Sequence, residues 1–599
     1  MRIVRTNILP TKGFDAINLM GVLFVHRNVY ISKLLVNHER IHTAQMRELL
    51  YVGFYVWYLL EWFVRLFMKG NAYRNISFER EAYYNEQNLG YLRNRPHYAW
   101  CSYLKKNMRH STHKRTLLIA VALITNALCM VARTTAPADS LKTADRMRQA
   151  VTAMATHPDF RHASLGIAVF DLQADTMIAA NQPDLSITTA STMKTLSSAA
   201  ALSILGSDYT FQTPVYLDGE LKKDKFKGNI IIYGSGDPVL GSKYLPNQAD
   251  ITAEIIRALQ ALGIKKLEGT IDVRDTYYPL PHINDDWCAG DLAWYYAAGV
   301  HALNFCDNTT RLRFTVDSAT LAVSPFTLAP AVPGVQVINL AKAAPSGDFA
   351  ATVEYATPAI VLMGNLRPKR YDQLFTNPTP NAMLADSLRR SLIAAGFKVK
   401  DNAKARAKVK HPERRRLLTH NSAPLGDIVT SLLDRSDNVF AHALLLAIGA
   451  NQIGITPDNG DLPRNLSDVA KQKVTQFLDE LGVEQDGLWL YDGSGLARPG
   501  KASAKMLAEM LVKCEKKGIP LRQHMPTAGK RVGDNLVGTP LSNDIVLKSG
   551  SMSQVQCFVG YYPADAPRYT FAVLANDYNC SRAEIKNHIA NLLIQLFNP

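Results

Sequence analysis

Cysteine is scarce here: seven in 599 residues, none in a C-x-x-C pair. Neither a zinc ribbon nor a dense disulfide scaffold is therefore indicated. Cys288 with Cys306, and Cys557 with Cys580, could pair on export; free buried thiols are the other reading. Nucleic-acid motifs are missing too, although the formal net charge is +15. The Gly-rich Gly234-Ser235-Gly236-Asp237 lacks the following Lys-Ser/Thr that a phosphate loop needs, and reads as a turn. Beyond residue 115 there is no Glu-x-x-x-Asn element of the class A β-lactamase kind, which removes an efficient deacylation base of that type.

The charge is unevenly spread. Up to Arg115 the chain carries 18 Lys and Arg against 7 Asp and Glu, so +11 of the net charge sits in the first fifth. Those basic residues flank apolar segments, which suits a cytoplasmic face held against a membrane better than a nucleic-acid partner. The remainder is nearly balanced. With 47% hydrophobic residues it can fill several cores, and the length suggests about four domains of ordinary size.

The chemistry gathers around Ala190-Ser191-Thr192-Met193-Lys194-Thr195, which leads into the Ser/Ala/Leu-rich run Leu196 to Leu205. On a helix Ser191 and Lys194, three apart, share a face. A desolvated lysine there can lose its proton and serve as base for a serine nucleophile. S-x-x-K alone is common by chance, but two further elements follow in the order such acyl-enzymes need. Ser436-Asp437-Asn438 falls on a connection between helical patterns. Lys548-Ser549-Gly550 follows the apolar Ile545-Val546-Leu547 at a strand edge. Ser436 and Asn438 offer a proton-relay hydroxyl and an amide; Lys548 and Ser549 offer a cation and a hydroxyl for a carboxylate. Gly550 is expected to leave room for an acyl chain beside the strand.

From about Asp145 onward the chain resembles the D-alanyl-D-alanine carboxypeptidase/endopeptidase class of penicillin-binding proteins, the penicillin-binding protein 4 type. Besides the three motifs, the likeness includes Gly228 to Pro238, Ala302-Leu303-Asn304, Tyr491-Asp492-Gly493-Ser494-Gly495-Leu496 and Pro526-Thr527-Ala528-Gly529. Two departures stand out: Ser549 where Thr is usual, and His442 where Glu is expected after Asn438. The resemblance implies Ser191 as nucleophile, Lys194 as its base and Ser436 as relay to the leaving amine. Asn438 would hold the substrate amide, and Lys548 with Ser549 the terminal carboxylate. Backbone N–H groups of Ser191 and Ser551 would form the oxyanion hole, with Asp437 turned to its own helix end. No cofactor is implied for this chemistry. Peptidoglycan stem peptides are the implied substrates, with β-lactams as covalent inhibitors. A serine β-lactamase, or a membrane sensor of β-lactam or muropeptide, is the alternative.

Residues 1–110 form a unit of their own around Asn37-His38-Glu39-Arg40-Ile41-His42. His38 and His42, one helical turn apart, can bind one zinc ion while Glu39 polarises a bound water. Leu49 to Met68 is long enough to cross a bilayer, yet Glu61 and Arg65 would equally suit a helix at the interface or packed on a partner. Phe78-Glu79-Arg80-Glu81-Ala82-Tyr83 then offers Glu79 as a third ligand. The arrangement resembles membrane zinc metallopeptidases of the β-lactam-sensor and prenyl-protein-protease types, with Tyr83 replacing the Asp of their E-x-x-A-D element. A small helical membrane-associated domain without catalysis is the other reading.

The expected architecture is α/β (α+β). Residues 111–139 supply a basic flank and the run Leu117 to Ala132, a signal-anchor placing the rest on the periplasmic side of the inner membrane. Cys129 lacks the small preceding residue of a lipidation site. Residues 140–212 and 413–599 make the two parts of a transpeptidase-like sheet sandwiched by helices. Residues 213–412, with short alternating segments between Gly, Pro and Asn turns, make β-rich inserted subdomains.

Overall fold

The computed structural model describes residues 2–6, 16–26, 33–66, 73, 75–86, 88, 90–93, 95–105, 138–529 and 531–597. They fall into two compact units, Met1–Ala136 and Pro137–Pro599. The expected signal-anchor Leu117 to Ala132, its basic flank and Cys129 lie outside the described residues.

The first unit is not purely helical. Strand Val22–His26 pairs parallel with Arg2–Thr6 and antiparallel with Ala16–Leu19, the antiparallel turn closing at Gly21 with φ +82°. Helices Lys33–Glu48, Val52–Leu66 and Ser77–Asn85 follow, joined by a core of Met46, Phe54, Ile76, Phe78 and Trp100. No described helix is long and apolar enough to cross a membrane. The two charges of the apolar helix have an internal use. Arg65 donates to Glu61 Oε1 at 2.9 Å, and Glu61 accepts the Ser77 N–H at 3.0 Å and its hydroxyl at 2.5 Å. Glu61 thereby satisfies donors at the start of the third helix, where orphan N–H groups await partners. Val52, Val56, Leu59, Leu60, Trp62 and Phe63 of the same helix stay exposed.

The second unit is built on a five-stranded antiparallel sheet in the order Val546–Met552, Val555–Tyr562, Tyr569–Asn576, Ser164–Asp171, Thr176–Asn181. Its three central strands read as nearly continuous apolar runs because both faces are covered. Ile167, Val169, Phe571 and Val573 pack beneath helices Ala138–Ala155 and Arg582–Phe597. Ala168, Phe170, Ala572 and Leu574, one residue out of step, face Met193, Leu196, Leu507 and Leu511. Period-2 alternation thus feeds two cores from one strand, and each fully buried Leu, Val or Phe contributes about 1.5–3 kcal/mol.

The insertion is β-rich. Its main sheet pairs Gln212–Lys222 with Lys225–Tyr233, and two smaller sheets follow. The return strand Glu413–Asn421 pairs antiparallel with Gln212–Lys222, so the inserted sheet runs to Asn421, past the boundary at 412 that composition suggests. The Gly234-to-Pro238 stretch owes its sequence to a close approach: a Cβ on Gly234 would meet Ala302 and Leu303 backbone at 2.5 Å. Asn304 locks that approach, its amide donating to Asp237 O at 3.0 Å and His301 O at 2.9 Å. The turn reading of Gly236 holds, at φ +84°. Among the described residues Cys101, Cys288, Cys306, Cys514, Cys557 and Cys580 are free thiols.

Candidate active site

Ser191 sits on a tight turn rather than inside a helix. Ala190 adopts φ +45°, a short 3-10 turn Ala190–Thr192 follows, and helix Met193–Ile204 begins after it. Ser191 is thereby lifted to the rim while Lys194 is fully buried one turn along. Lys194 Nζ reaches Ser191 Oγ at 2.8 Å, Asn438 Oδ1 at 2.5 Å and the Ser494 carbonyl at 2.9 Å. Burial pulls its amine down to about 7, against the opposing pull of Asp492 and then Asp437. At neutral pH a large fraction of this lysine is the free amine a general base must be.

Ser436 caps helix Leu425–Arg435 in the left-handed conformation, φ +60°. Asp437 caps the next helix, Asn438–Ile453, accepting from the Phe440 N–H at 3.2 Å. It faces its own helix end, as the sequence implies. Asn438 Nδ2 donates to the Tyr296 carbonyl at 2.6 Å, so both ends of its amide are engaged in this arrangement.

Lys548 lies on the edge strand Val546–Met552, almost wholly buried, and donates to Ser436 Oγ at 2.9 Å and to the Ser549 carbonyl at 2.6 Å. Burial, then the neighbouring charges of Lys194 and Arg531, hold it well below the ordinary lysine range. A carboxylate arriving beside it would favour the charged form again. Ser549 is half-buried beside it; Ser551 is exposed, its hydroxyl donating to Gln556 Oε1 at 2.8 Å. The room expected at Gly550 has another tenant. A Cβ there would lie 2.6 Å from Thr189 O, 2.8 Å from Thr192 N and 2.9 Å from Ser191 N. The missing side chain of Gly550 lets the turn of Ser191 seat directly against the strand.

Asp492, to which the sequence reading assigns no role, organises the third wall. It accepts from Trp287 Nε1 at 2.7 Å, Ser494 Oγ at 2.8 Å and the Gly495 N–H at 2.6 Å, with further backbone donors from Ser494, Leu496 and Ala497. Burial alone would raise its carboxyl; His442, Trp287, Ser494 and Gly495 outweigh that and hold it below the ordinary range. This loop presents the Ser494 carbonyl to Lys194. His442, in place of the expected Glu, supports it from beneath: buried, with desolvation holding its imidazole below the ordinary range, it accepts from the Gly493 N–H at 3.4 Å. The D-G-S-G pattern is a turn signal, and it marks this loop without revealing what Asp492 touches.

In the first unit, His38, His42 and Glu79 are brought together, all buried. His38 Nε2 and His42 Nε2 lie 3.2 Å apart, with Glu79 carboxylate oxygens at 3.7 and 3.6 Å respectively. Each ring's Nδ1 has its own partner: Glu86 Oε2 at 2.9 Å for His38, Gln45 Oε1 at 2.8 Å for His42. Tyr58 donates to Glu79 Oε1 at 2.7 Å, while Glu79 Oε2 is buried without a hydrogen bond. Tyr83 stands edge-on to the His38 ring, with centroids 4.7 Å apart. Glu39 is buried in the same unit, desolvation raising its carboxyl.

Comparison with known proteins agrees on the second unit. The model of the D-Ala-D-Ala carboxypeptidase 3 (S13) family matches residues 147–596. The chain is similar to the D-alanyl-D-alanine carboxypeptidase of Actinomadura sp. strain R39, 24% identical over 494 residues, covering 79% of this chain and 88% of that protein. It is also similar to the D-alanyl-D-alanine carboxypeptidase DacB of Haemophilus influenzae, 23% identical over 450 residues, covering 72% and 89%. The crystal structure of Haemophilus influenzae penicillin binding protein 4 has the same fold, with a TM-score of 0.61 at 22% identity over 74% of this chain and 97% of that one.

Proposed function

The chain belongs to the D-Ala-D-Ala carboxypeptidase 3 (S13) family, and from that premise we propose the roles its residues take. It is a serine-type carboxypeptidase. The free amine of Lys194 takes the Ser191 proton as Oγ attacks the carbonyl before the terminal D-Ala. The peptide C–N bond breaks, a proton returns through Ser436 to the leaving amine, and water later hydrolyses the Ser191 ester. Lys548 and Ser549 hold the substrate's terminal carboxylate. Asn438 exchanges its contact with the Tyr296 carbonyl for the substrate amide, and the Ser191 and Ser551 N–H groups receive the oxyanion. The substrates are peptidoglycan stem peptides, cross-bridges included, and β-lactams acylate the same serine. One observation carries this reading: Ser191, Lys194 and Asn438 are joined by hydrogen bonds, and Lys548 joins Ser436 beside them. Intact-mass analysis with penicillin tests it. The wild type gains one slowly released adduct and frees D-Ala from a pentapeptide. Ser191→Ala does neither; labelling of that variant would overturn the assignment.

A second reading concerns the first unit: His38, His42 and Glu79 hold zinc, with Glu39 as base. Its support is the pattern of outer partners. With both Nδ1 atoms committed to acceptors, the two Nε2 lone pairs face the Glu79 carboxylate, whose Oε2 has no hydrogen bond. Zinc bound there would polarise a water or carbonyl. The unit associates with the inner membrane through the exposed apolar side of helix Val52–Leu66 and the basic excess around it, and the carboxypeptidase works in the periplasm.

A further inference from the structure

A second cluster of metal-ligating side chains lies in the inserted region, where the carboxypeptidase chemistry makes no use of it. Asp275 directly follows the strand Ile271–Arg274; His282 and His301 stand near the two ends of the segment that follows. All three are at most 11% exposed at the side chain. His301 Nδ1 lies 2.6 Å and His282 Nε2 3.3 Å from the same oxygen, Asp275 Oδ2. The other oxygen, Oδ1, is fixed by the Leu303 N–H at 2.9 Å, so the carboxylate is oriented from outside with Oδ2 facing both rings. The ring centroids are 4.1 Å apart at 31°.

One ligand atom from each residue (Asp275 Oδ2, His282 Nε2 and His301 Nδ1) converges on a common centre, all within 4.8 Å of one another. Tetrahedral zinc with bonds of about 2.0–2.2 Å holds its ligand atoms about 3.3 Å apart. The His282–Asp275 separation already has that value, and the His301–Asp275 contact reaches it by a small side-chain turn. We propose that Asp275, His282 and His301 form a binding site for a divalent transition metal of the zinc type, with the fourth position open to water.

Its place in the fold gives the site a purpose. The segment 276–300 closes on itself where the Val300 N–H donates to the His282 carbonyl at 2.8 Å. Between these ends it carries Trp287, which donates to Asp492, and Tyr296, whose carbonyl receives Asn438. A metal at its base would tie both ends to the inserted sheet and so brace the wall against which Asn438 rests.

Cobalt(II) titration of the full-length chain tests this, read by tetrahedral d–d absorption and by cobalt per chain after desalting. The His38→Ala/His42→Ala variant, which removes whatever the first unit binds, should still hold about one cobalt per chain. Adding His282→Ala to it should abolish that ion while penicillin still labels Ser191. Zinc should raise the thermal midpoint of the double variant and leave that of the triple variant unmoved. A double variant that binds no cobalt, or a triple variant that binds as much, overturns the site. Should the triple variant fail to fold, the double variant's stoichiometry and zinc-dependent midpoint decide alone.

Discussion

Lys548 Nζ stands 2.9 Å from Ser436 Oγ, a contact that spans 112 residues of sequence. Under the proposed roles, carboxylate binding and proton transfer to the leaving group would meet in this one contact.

Replacing Lys548 with Ala should consequently damage both kinetic constants. A charge-assisted contact is worth roughly 1.5–3 kcal/mol, so kcat/KM on a pentapeptide should fall about ten- to a hundredfold or more, with KM rising and kcat falling together. A rise in KM alone would separate Lys548 from the relay. An unchanged kcat/KM would assign the carboxylate to another cation such as the exposed Arg498.

The acylation rate should climb as pH rises through about 7. Lys194 is drawn down to about 7 by burial, and only its free amine can accept the Ser191 proton. Below that pH the ammonium dominates and acylation is slow; above it the rate should level off. Stopped-flow acylation by a chromogenic β-lactam measures the limb. A limb near the ordinary lysine value would mean that Lys194 is solvated in the working enzyme. Asp492 opposes the downward shift, so Asp492→Asn should move the limb to lower pH, beyond any loss of stability from its broken turn.

The three motifs were legible in the sequence because their chemistry is local: Ser191 and Lys194 need only one helical turn, Ser436 and Asn438 one connection, Lys548 to Gly550 one strand. What the sequence could not convey is contact across long separations. Asp492 reads as a turn residue, and its hold on Trp287, 205 positions earlier, exists only once the insertion has folded beside the catalytic helices. The boundary expected at 412 shifts for a similar reason, since the strand Glu413–Asn421 reveals its place in the inserted sheet only by pairing with Gln212–Lys222. His38, His42 and Glu79 were readable because the first two share a helix face, while Glu86 and Gln45 as their outer partners were not.

Gly550→Ala should be strongly damaging to the site. Backbone atoms of Thr189, Ser191 and Thr192 occupy the space a methyl would need, at 2.6–2.9 Å, and backbone cannot swing aside as a side chain tip can. The nucleophile's turn must move off the strand, which separates the Ser191 and Ser551 N–H groups. Penicillin acylation should drop at least a hundredfold, a loss of about 2.7 kcal/mol or more in transition-state stabilisation, with the protein still folded by circular dichroism. Near-wild-type acylation would show that the oxyanion is held elsewhere.

The zinc reading of the first unit makes its own demand. His38 and His42 Nε2 atoms 3.2 Å apart, each ring braced at Nδ1, leave two lone pairs crowded against a buried carboxylate, and a shared cation is the simplest way to relieve that crowding. Purified full-length protein in detergent should therefore lose about one zinc per chain in the His38→Ala/His42→Ala variant, and hold that zinc much more weakly in Glu79→Ala. Glu86→Gln, which alters only the partner of His38 Nδ1, should weaken affinity about ten- to a hundredfold without abolishing it. Penicillin labelling of Ser191 should persist in all three. If metal content by mass spectrometry is the same in the wild type and the double histidine variant, the cluster is a hydrogen-bonded packing device and the carboxypeptidase is the chain's only enzyme.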